Sequence, residues 1–409
     1  MKHAPVTRCE QVPCAATLSF DAAQALLASV ISPLGTESVL LAKAGGRVLA
    51  EPVRAAMDIP REDLAAMDGF AVRDADLAAG QKRFRVIGAA YPGAPYEKLI
   101  GRDEAVRIMT GAATPRGTDR VLLRELVTEI AGSIEIDEKP SGKPHVRPRG
   151  SDTLAGVEVL PAGRVLDPRA LVVAAAADAA RLTVWCRPRV RLIATGDELV
   201  PPGAASQGNG VPDSLSQAVL LMAQQWGGLA AGAALVRDDI ALLTAAVAAA
   251  TEDADLIVLT GGASRGDRDF AKSALAPLGL ELLFADVAIK PGKPVWVGRI
   301  ARTLVLGLPG NPTAAMTVAR LFLAPLLTGL GGRGMAAGLR WERAPLIEDT
   351  DAGDRESFLC AERLNDGVRI IARQAASSQC MLARADALVR LPAARETLPA
   401  GTPVDLLRF

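Results

Sequence analysis

The sequence predicts a multidomain protein of the α/β plus β class, in which a central, doubly wound α/β domain of three layers is flanked by β-rich parts. Three observations predict this. Buried strands alternate with helices between about residue 188 and residue 330. Short strands punctuated by glycine and proline fill 84–136, and the chain after residue 335 alternates without helical periodicity. The 409 residues, 50% of them hydrophobic, are enough for roughly two to four domains.

The first half of the chain predicts two domains. Apolar side chains at helical spacing, among them Leu26 and Val30, predict a helix within 17–32, and 168–180 is also expected to be helical. Asp68-Gly69 predicts a tight turn before a short strand. We predict an N-terminal mixed domain formed by 1–52 and 145–182, with a small β-rich lobe, 53–144, inserted in it. The lobe's strands are expected at Phe84–Ile87, Glu104–Ile108, Arg120–Leu123 and Ser133–Ile136.

The second half predicts the central α/β domain over 183–330 and a small C-terminal β domain over 335–409. Asn311 is placed as the N-cap of the last central helix, with Pro312 at its first position. Strands are expected at Val190–Ala194, Leu256–Leu259, Leu282–Ile289 and Thr303–Leu306, and helices at Ser214–Trp226, from near Asp238 to Ala250, and at Pro312–Leu327. Because strands alternate with helices, we expect a parallel sheet that is covered on both faces.

Ligands on such sheets lie beyond the carboxyl ends of the strands. Thr195–Glu198, Thr260–Gly262 and Leu308–Pro312 all follow predicted strands directly. We therefore expect these three segments to form one pocket at the edge of the sheet.

The residue types in these segments are those of a phosphate site. Gly261-Gly262 lets the backbone approach a ligand, and the helix that opens at Asn311-Pro312 offers free N–H groups to an anion. Lys290 and Lys293 bracket a tight turn, so both ammonium groups are expected to reach one phosphate. The nearby carboxylates are those of Asp197, Glu198, Asp267 and Asp269. Together they indicate a Mg²⁺-assisted phosphoryl or nucleotidyl reaction.

Composition argues against several other function classes. The 46 basic and 46 acidic side chains leave a net charge of zero, which argues against a nucleic acid partner. Only two histidines are present, His3 and His145, which argues against a histidine triad or a histidine-ligated metal. Five cysteines without a Cys-x-x-Cys pair argue against a disulfide framework or a zinc site. Without a signal peptide pattern or an apolar run long enough for a bilayer, we expect a cytoplasmic protein that binds no membrane.

Six motifs taken together resemble the molybdopterin molybdenumtransferases, the MoeA family, which includes the C-terminal part of gephyrin. The resemblance runs from about residue 17 to the end, and the motifs stand in the family's order at 67–72, 107–112, 195–199, 261–264, 290–294 and 307–312. It implies four domains, with a MogA-like, molybdopterin-binding central domain. It also implies a homodimer that inserts molybdate into adenylylated molybdopterin with Mg²⁺ and releases AMP.

The resemblance also implies roles for individual residues. Acidic groups would hold Mg²⁺ and position the attacking oxygen, while the lysines and the helix N-terminus would neutralise the pyrophosphate. The implied catalytic residues are Asp68, Asp152, Glu198 and Asp269. The implied Mg²⁺ ligands are Glu198, Asp238 (or Asp239) and Asp269. The implied substrate contacts are Thr110, Thr195, Gly196, Asp197, Asp213, Gly261, Gly262, Ser264, Lys290, Lys293, Pro309, Gly310, Asn311 and Pro312.

The chain departs from the family's pattern at several positions. Leu64-Ala65 stands where the family has Asn-Ser, Ser151 replaces a glutamate, Leu215 replaces an asparagine and Arg265 replaces a small apolar residue. A non-catalytic molybdopterin- or nucleotide-binding paralogue therefore stays open beside the enzyme, as does an adenylyltransferase. Molybdopterin adenylyltransferase and molybdoenzyme maturation proteins are the expected partners. The choice between molybdenum and tungsten is left open.

Overall fold

A computed structural model describes residues 17–138, 140, 142–261, 271–372, 374–375, 377–394 and 396–409. The described chain divides into two compact units. We call Ser38–Val184 the insert unit, and the residues up to Glu37 together with Trp185–Phe409 the main unit. The division into four domains that the sequence predicts stays a prediction.

The helices and strands are numbered along the described chain. The helices are α1 (Phe20–Val30), α2 (Asp74–Ala78), α3 (Pro168–Ala176), α4 (Ser216–Gln225), α5 (Ile240–Thr251), α6 (Ala271–Leu275), α7 (Pro312–Val318) and α8 (Ala324–Leu330). The strands up to residue 185 are β1 (Thr36–Leu40), β2 (Val53–Arg54), β3 (Leu64–Ala65), β4 (Gly69–Val72), β5 (Arg83–Ala90), β6 (Glu104–Ile108), β7 (Arg120–Leu123), β8 (Val127–Ile130), β9 (Ser133–Ile136), β10 (Val146–Arg147), β11 (Glu158–Leu160) and β12 (Arg181–Trp185). The central strands are β13 (Arg189–Thr195), β14 (Leu199–Val200), β15 (Val211–Pro212), β16 (Leu229–Val236), β17 (Leu256–Thr260), β18 (Glu281–Ala285), β19 (Ile289–Lys290), β20 (Trp296–Ile300) and β21 (Thr303–Leu308). The last strands are β22 (Glu342–Pro345), β23 (Thr350–Asp351), β24 (Glu356–Leu364), β25 (Gly367–Ile370), β26 (Ala387–Leu391), β27 (Thr397–Leu398) and β28 (Pro403–Arg408).

The insert unit contains a mixed sheet in the order β7-β4-β6-β5-β9-β8. Phe70, Phe84 and Ile108 are fully buried in its core. A second core packs α3 against β11 and β12, where Ala174 and Val184 are buried. The strands that the sequence predicts at β6, β7 and β9 are confirmed, and β5 is longer than predicted at both ends.

The main unit is organised around a six-stranded sheet in the order β16-β13-β17-β21-β20-β18, which we call the central sheet. The four strands from β16 to β21 are parallel. β17 reads Leu-Ile-Val-Leu-Thr and is buried along its whole length, as expected for a strand covered on both faces. Alternate residues face opposite cores. Leu256 and Val258 pack with α4, α7 and α8, whereas Ile257 and Leu259 pack with α5 and α6. The predicted doubly wound, three-layer domain is confirmed.

Two predictions for this sheet were wrong. The sheet is not wholly parallel, because β20 pairs antiparallel with both β18 and β21. The predicted strand 282–289 is divided between two sheets. The chain leaves the central sheet at Asp286, where φ is +64°, and Ile289 then pairs with Glu356 in the C-terminal sheet. The continuous apolar run conceals this break, which only the short polar side chain of Asp286 marks.

The C-terminal part of the main unit is the predicted β domain, with a sheet in the order β19-β24-β26-β28-β22 and β25 on the outer side of β24. A π-helical turn, Ala319–Leu323, joins α7 to α8 into one helix of 19 residues. By length and apolar composition this helix is the one in the described chain that could cross a membrane. Because it is 94% buried inside the main unit, it is a core helix of this fold.

Candidate functional site

The strand ends at the carboxyl edge of the central sheet are in register. Ala194 pairs with Thr260, and Thr260 pairs with Leu308, so β13, β17 and β21 end side by side. Beyond them lies a cleft of about 250 Å³. It is lined by Thr195, Glu198, Leu199, Val211, Pro212, Asp213, Ser214, Leu215, Thr260, Gly261, Gly310, Asn311, Pro312, Ser377 and Gln379. Seven of the predicted site residues are therefore gathered here.

Gly261 brings backbone to the floor of this cleft. Its φ is +85°, and a Cβ atom there would lie 2.3 Å from the carbonyl oxygen of Thr195 and 2.6 Å from its hydroxyl. Only glycine fits both the dihedral angle and the space. A Cβ on Gly310 would lie 3.9 Å from the Gly261 Cα, so the two glycine segments meet across the cleft. A ligand in the cleft beside these two segments would meet main chain, because neither glycine has a side chain.

Asn311 is the N-cap of α7 and Pro312 its first residue, as predicted. The Asn311 carbonyl accepts the first helical hydrogen bond, from the amide of Ala315, at 2.8 Å. Among the described residues, the Asn311 side chain makes no capping hydrogen bond, and it is exposed at the cleft. Because the Asn311 side chain is not used on its own helix, its amide is available to a ligand at the cleft, beside the start of α7.

Asp213 also lines the cleft, but its carboxylate has a structural task. Its Oδ1 accepts hydrogen bonds from the amides of Leu215 and Ser216, each at 3.1 Å, and so caps the start of α4. Leu215, where the resemblance implies an asparagine, is only 7% exposed and belongs to the main core. This wall of the cleft is thus fixed by a cap and a core residue.

The other carboxylates near the carboxyl edge of the central sheet differ in their surroundings. Asp197 Oδ1 accepts from the amide of Asp238 at 3.2 Å and lies 3.5 Å from the Arg237 guanidinium. Asp239 is the N-cap of α5, accepting from the amide of Leu242 at 2.8 Å. Glu198, by contrast, is exposed and lines the cleft directly. Of the carboxylates on this edge in the described chain, that of Glu198 is best placed to meet a ligand.

Of the two predicted lysines, Lys290 ends β19, and Lys293 lies on the turn between β19 and β20. Lys290 is exposed and Lys293 half-buried, and neither is among the residues that line the cleft. Gly292 between them has a φ of +101°, and a Cβ there would lie 2.2 Å from Val318 Cγ2. The turn is thus packed against α7. In the part of the chain that the structure describes, neither ammonium group has an ion-pair partner, so both can serve an anion.

Asp68 and Thr110 lie in the insert unit and contact each other. Asp68 Oδ1 accepts from the Thr110 hydroxyl and from its amide, each at 2.7 Å. These two hydrogen bonds hold the pKa of Asp68 below its ordinary value of 3.8. Asp152 lies in the same unit, with its Oδ2 3.7 Å from the Arg147 guanidinium. Both carboxylates are exposed, and the lowered pKa of Asp68 keeps that side chain ionised at neutral pH.

Three predicted site residues, Gly262, Ser264 and Asp269, lie outside the described residues, as does Arg265. Within the described chain, no group of three histidine, cysteine or acidic side chains could hold a metal ion. Glu198 and Asn311 nevertheless offer a carboxylate and an amide oxygen at the cleft, and such hard oxygen donors suit Mg²⁺. The donor types present at the cleft therefore fit this cation.

The structure adds two residues that the sequence did not indicate. Ser377 and Gln379, from the C-terminal part of the main unit, line the cleft. The Thr313 hydroxyl in the first turn of α7 donates to the Ser378 carbonyl at 2.6 Å, which ties this segment to the helix start. Thr313 and Ser378 lie 65 positions apart, so no local sequence pattern relates them. The connection between β25 and β26 thus supplies one wall of the site.

Known proteins resemble this chain along most of its length. The family model for the MoeA N-terminal region (domain I and II) matches residues 18–177, and that for a probable molybdopterin binding domain matches residues 191–329. A molybdopterin molybdenumtransferase of Haemophilus influenzae is 34% identical over 80% of both chains. One of Staphylococcus aureus is 32% identical over 90% of both chains. The crystal structure of a molybdopterin biosynthesis MoeA protein from Pyrococcus horikoshii has a TM-score of 0.82 at 30% identity, covering 96% of this chain and 99% of that one.

Proposed function

Because this chain belongs to the molybdopterin molybdenumtransferase family, enzymes of molybdenum cofactor biosynthesis, we propose that it inserts molybdate into adenylylated molybdopterin in a Mg²⁺-dependent step that releases AMP. One observation carries the proposal. Two glycine segments, the start of α7 and the carboxylate of Glu198 converge on a single cleft at the carboxyl edge of the central sheet. Backbone N–H groups and a helix N-terminus bind phosphate oxygens, and a carboxylate suits the accompanying cation.

In this proposal the residues in and near the cleft have different roles. The main chain at Gly261 and Gly310 and the first turn of α7 bind the phosphates of the adenylate. Glu198 and the Asn311 oxygen hold Mg²⁺, which supplies positive charge beside the phosphate oxygens when it is bound. Lys290 and Lys293 add cationic charge from the neighbouring turn. The absence of a carboxylate partner for either lysine among the described residues supports that role.

We also propose a homodimer in which the insert unit of one protomer completes the cleft of the other. Asp68 and Asp152 are then the catalytic carboxylates that this unit presents to the adenylate. The support is that Thr110 keeps Asp68 ionised, as a group that positions an attacking oxygen requires. Mixing an Asp68→Ala protein with a Glu198→Ala protein tests this arrangement. If the sites are shared, each mixed dimer contains one intact site, so activity returns on mixing. If the mixture stays as inactive as the two separate proteins, the sites are not shared between protomers.

The function is tested by AMP release from adenylylated molybdopterin, measured with and without molybdate and with and without EDTA. We expect release that requires both molybdate and Mg²⁺. Glu198→Gln should abolish it, while Glu252→Gln, an exposed glutamate at the end of α5, should leave it unchanged. ATP-dependent transfer of AMP to molybdopterin would instead identify an adenylyltransferase.

A second candidate is a non-catalytic paralogue that binds molybdopterin or a nucleotide. The observation that favours it is Leu215, an apolar core residue in the wall of the cleft where the family has an amide. Loss of one polar contact to a ligand costs about 1–3 kcal/mol. Tight pterin binding without AMP release would establish this candidate and exclude the transferase.

The cellular setting follows from the same proposal. We infer a cytoplasmic enzyme that receives its substrate from a molybdopterin adenylyltransferase and passes its product to molybdoenzyme maturation proteins. The burial of the helix 312–330 supports a location away from the membrane. The net charge of zero supports a small-molecule substrate in place of nucleic acid. Pull-down of the tagged protein from its own cells, with and without molybdate, tests the partners.

A further inference from the structure

A single carboxylate in the insert unit closes the loop that carries Asp152. We call residues 149–155 the Asp152 loop. Asp58 Oδ1 accepts from the amide of Ala155 at 2.8 Å, and Asp58 Oδ2 accepts from the Nε of Arg149 at 2.5 Å. The two donors are the first and last residues of the loop. The Asp58 side chain is only 14% exposed, although the loop itself lies on the surface.

The residues after Asp58 bind the middle of the same loop. The Ile59 carbonyl accepts from the amide of Asp152 at 2.9 Å, and the Ile59 amide donates to the Thr153 carbonyl at 2.8 Å. The Pro60 carbonyl accepts from the amide of Gly150 at 2.9 Å. The main chain of Ile59 and Pro60 therefore holds the middle of the loop, and the Asp58 side chain binds both of its ends.

The charges around Asp58 favour its ionised form. The hydrogen bond from the Ala155 amide, followed by that from Arg149, lowers the pKa of Asp58 below its ordinary value of 3.8. A second carboxylate, that of Asp63, accepts from the Arg149 amide at 2.7 Å and holds the same arginine from its main chain. These bonds leave the Asp152 carboxylate itself exposed, with Arg147 as its nearest cation.

We propose that Asp58 is a positioning residue for Asp152: by binding both ends of the Asp152 loop it fixes where that carboxylate stands, without contacting the substrate itself. This inference rests on the proposed function, in which Asp152 acts on the adenylate. Catalytic groups must be held close to their productive geometry, and a displacement of about 1 Å can cost roughly 100-fold in rate. A surface loop held only by its main-chain bonds has more conformations available than one closed at both ends.

The test is a double-mutant cycle on AMP release with Asp58→Ala, Asp152→Ala and the double variant. We expect Asp58→Ala to lower kcat roughly 10- to 100-fold with little change in KM. If Asp58 acts through Asp152, the double variant is no slower than Asp152→Ala alone. Hydrogen exchange of the amides in the Asp152 loop should be faster in Asp58→Ala than in the wild-type protein.

Asp167 provides a matched control in the same unit. It also accepts a backbone amide, from Ala170 at 2.8 Å, and an arginine, Arg169 at 2.8 Å, but its bonds close no loop that carries a proposed site residue. Asp167→Ala should leave kcat unchanged. If Asp58→Ala does not fold, Asp58→Asn, which keeps an oxygen for the Ala155 amide, takes its place in the cycle.

Losses that multiply in the double variant, or a normal kcat in Asp58→Ala, overturn the inference. A wild-type protein that releases no AMP removes the proposed reaction, and the positioning role falls with it. The two failures can be distinguished. Failure of the positioning role is seen in the variants while the wild-type protein is active, whereas failure of the proposed function is seen in the wild-type protein itself.

Discussion

Replacing Gly261 with alanine measures how closely the backbone must approach at the cleft. The added methyl group would stand 2.3 Å from the Thr195 carbonyl oxygen, at a residue whose φ is +85°. Gly279 offers a matched position in the same unit. Its φ is +78°, and nothing lies within 4 Å of the place where its Cβ would be. The two variants share the conformational strain and differ in the steric contact.

The expected magnitudes follow from these two terms. An alanine in the left-handed region costs about 1–2 kcal/mol, which is the whole effect expected for Gly279→Ala. Forcing a methyl group into a packed position adds about 1–3 kcal/mol, because the Thr195 main chain must move. We therefore expect the free energy of unfolding to fall by about 2–5 kcal/mol in Gly261→Ala. The displaced Thr195 should also slow AMP release in this variant alone.

The assay is urea unfolding of wild type and both variants, with AMP release measured on the same preparations. Equal stability of Gly261→Ala and Gly279→Ala would refute the close approach, because the strain common to both would then account for everything. A stable Gly261→Ala protein with normal AMP release would also refute the role of this glycine in the cleft.

Three further predictions use other features of the fold. Leu215→Asn, which restores the family's residue, should lower the free energy of unfolding by about 2–5 kcal/mol, because a core side chain is lost; unchanged urea unfolding would contradict this. The pKa of Asp167 is lowered from 3.8 to about 2, first by the Ala170 amide and then by Arg169, so its stabilisation is complete above pH 3.8 and is lost as the pH falls towards 2. Asp167→Asn should therefore weaken the pH dependence of thermal unfolding in that window, and an identical dependence would count against the bond. Burial raises the pKa of Cys360 to about 11, so at pH 8 iodoacetamide should modify exposed Cys380 far faster than Cys360 in the native protein; equal labelling by mass mapping would show that Cys360 is accessible.

The sequence was a good guide to the fold wherever a strand is buried on both faces. β17 and β21 are nearly continuous apolar runs, and both were predicted within two residues of their ends. It was a poor guide at the antiparallel edge of the central sheet. β20 contains Gly298, where a Cβ would lie 2.7 Å from Leu280 Cδ1, so close packing selects a residue that weakens the strand signal.

The sequence predicted where the site lies, but it did not predict most of the contacts within it. Thr195, Gly261 and Asn311 meet at the cleft because the ends of parallel strands share one edge. The tasks of Asp213 and Asp239 in capping helices were not foreseen, although aspartate just before a helix is a common N-cap. Gln379 could not be placed, because its position depends on how a distant sheet packs on α7.

The interior of the π-helical turn limits how this protein can be divided. Arg320 is 2% exposed, donates to the carbonyls of Gly338 and Arg408 at 2.7 and 2.5 Å, and stacks on the ring of Trp226 at 4.4 Å. A fragment that ended after α8 would keep the cation and lose both acceptors, leaving a buried guanidinium unsatisfied. It would also uncover an apolar helix of 19 residues. We therefore expect the central fold to be unstable when it is excised from this chain, because its buried helix relies on the carbonyls of Gly338 and Arg408 to satisfy Arg320.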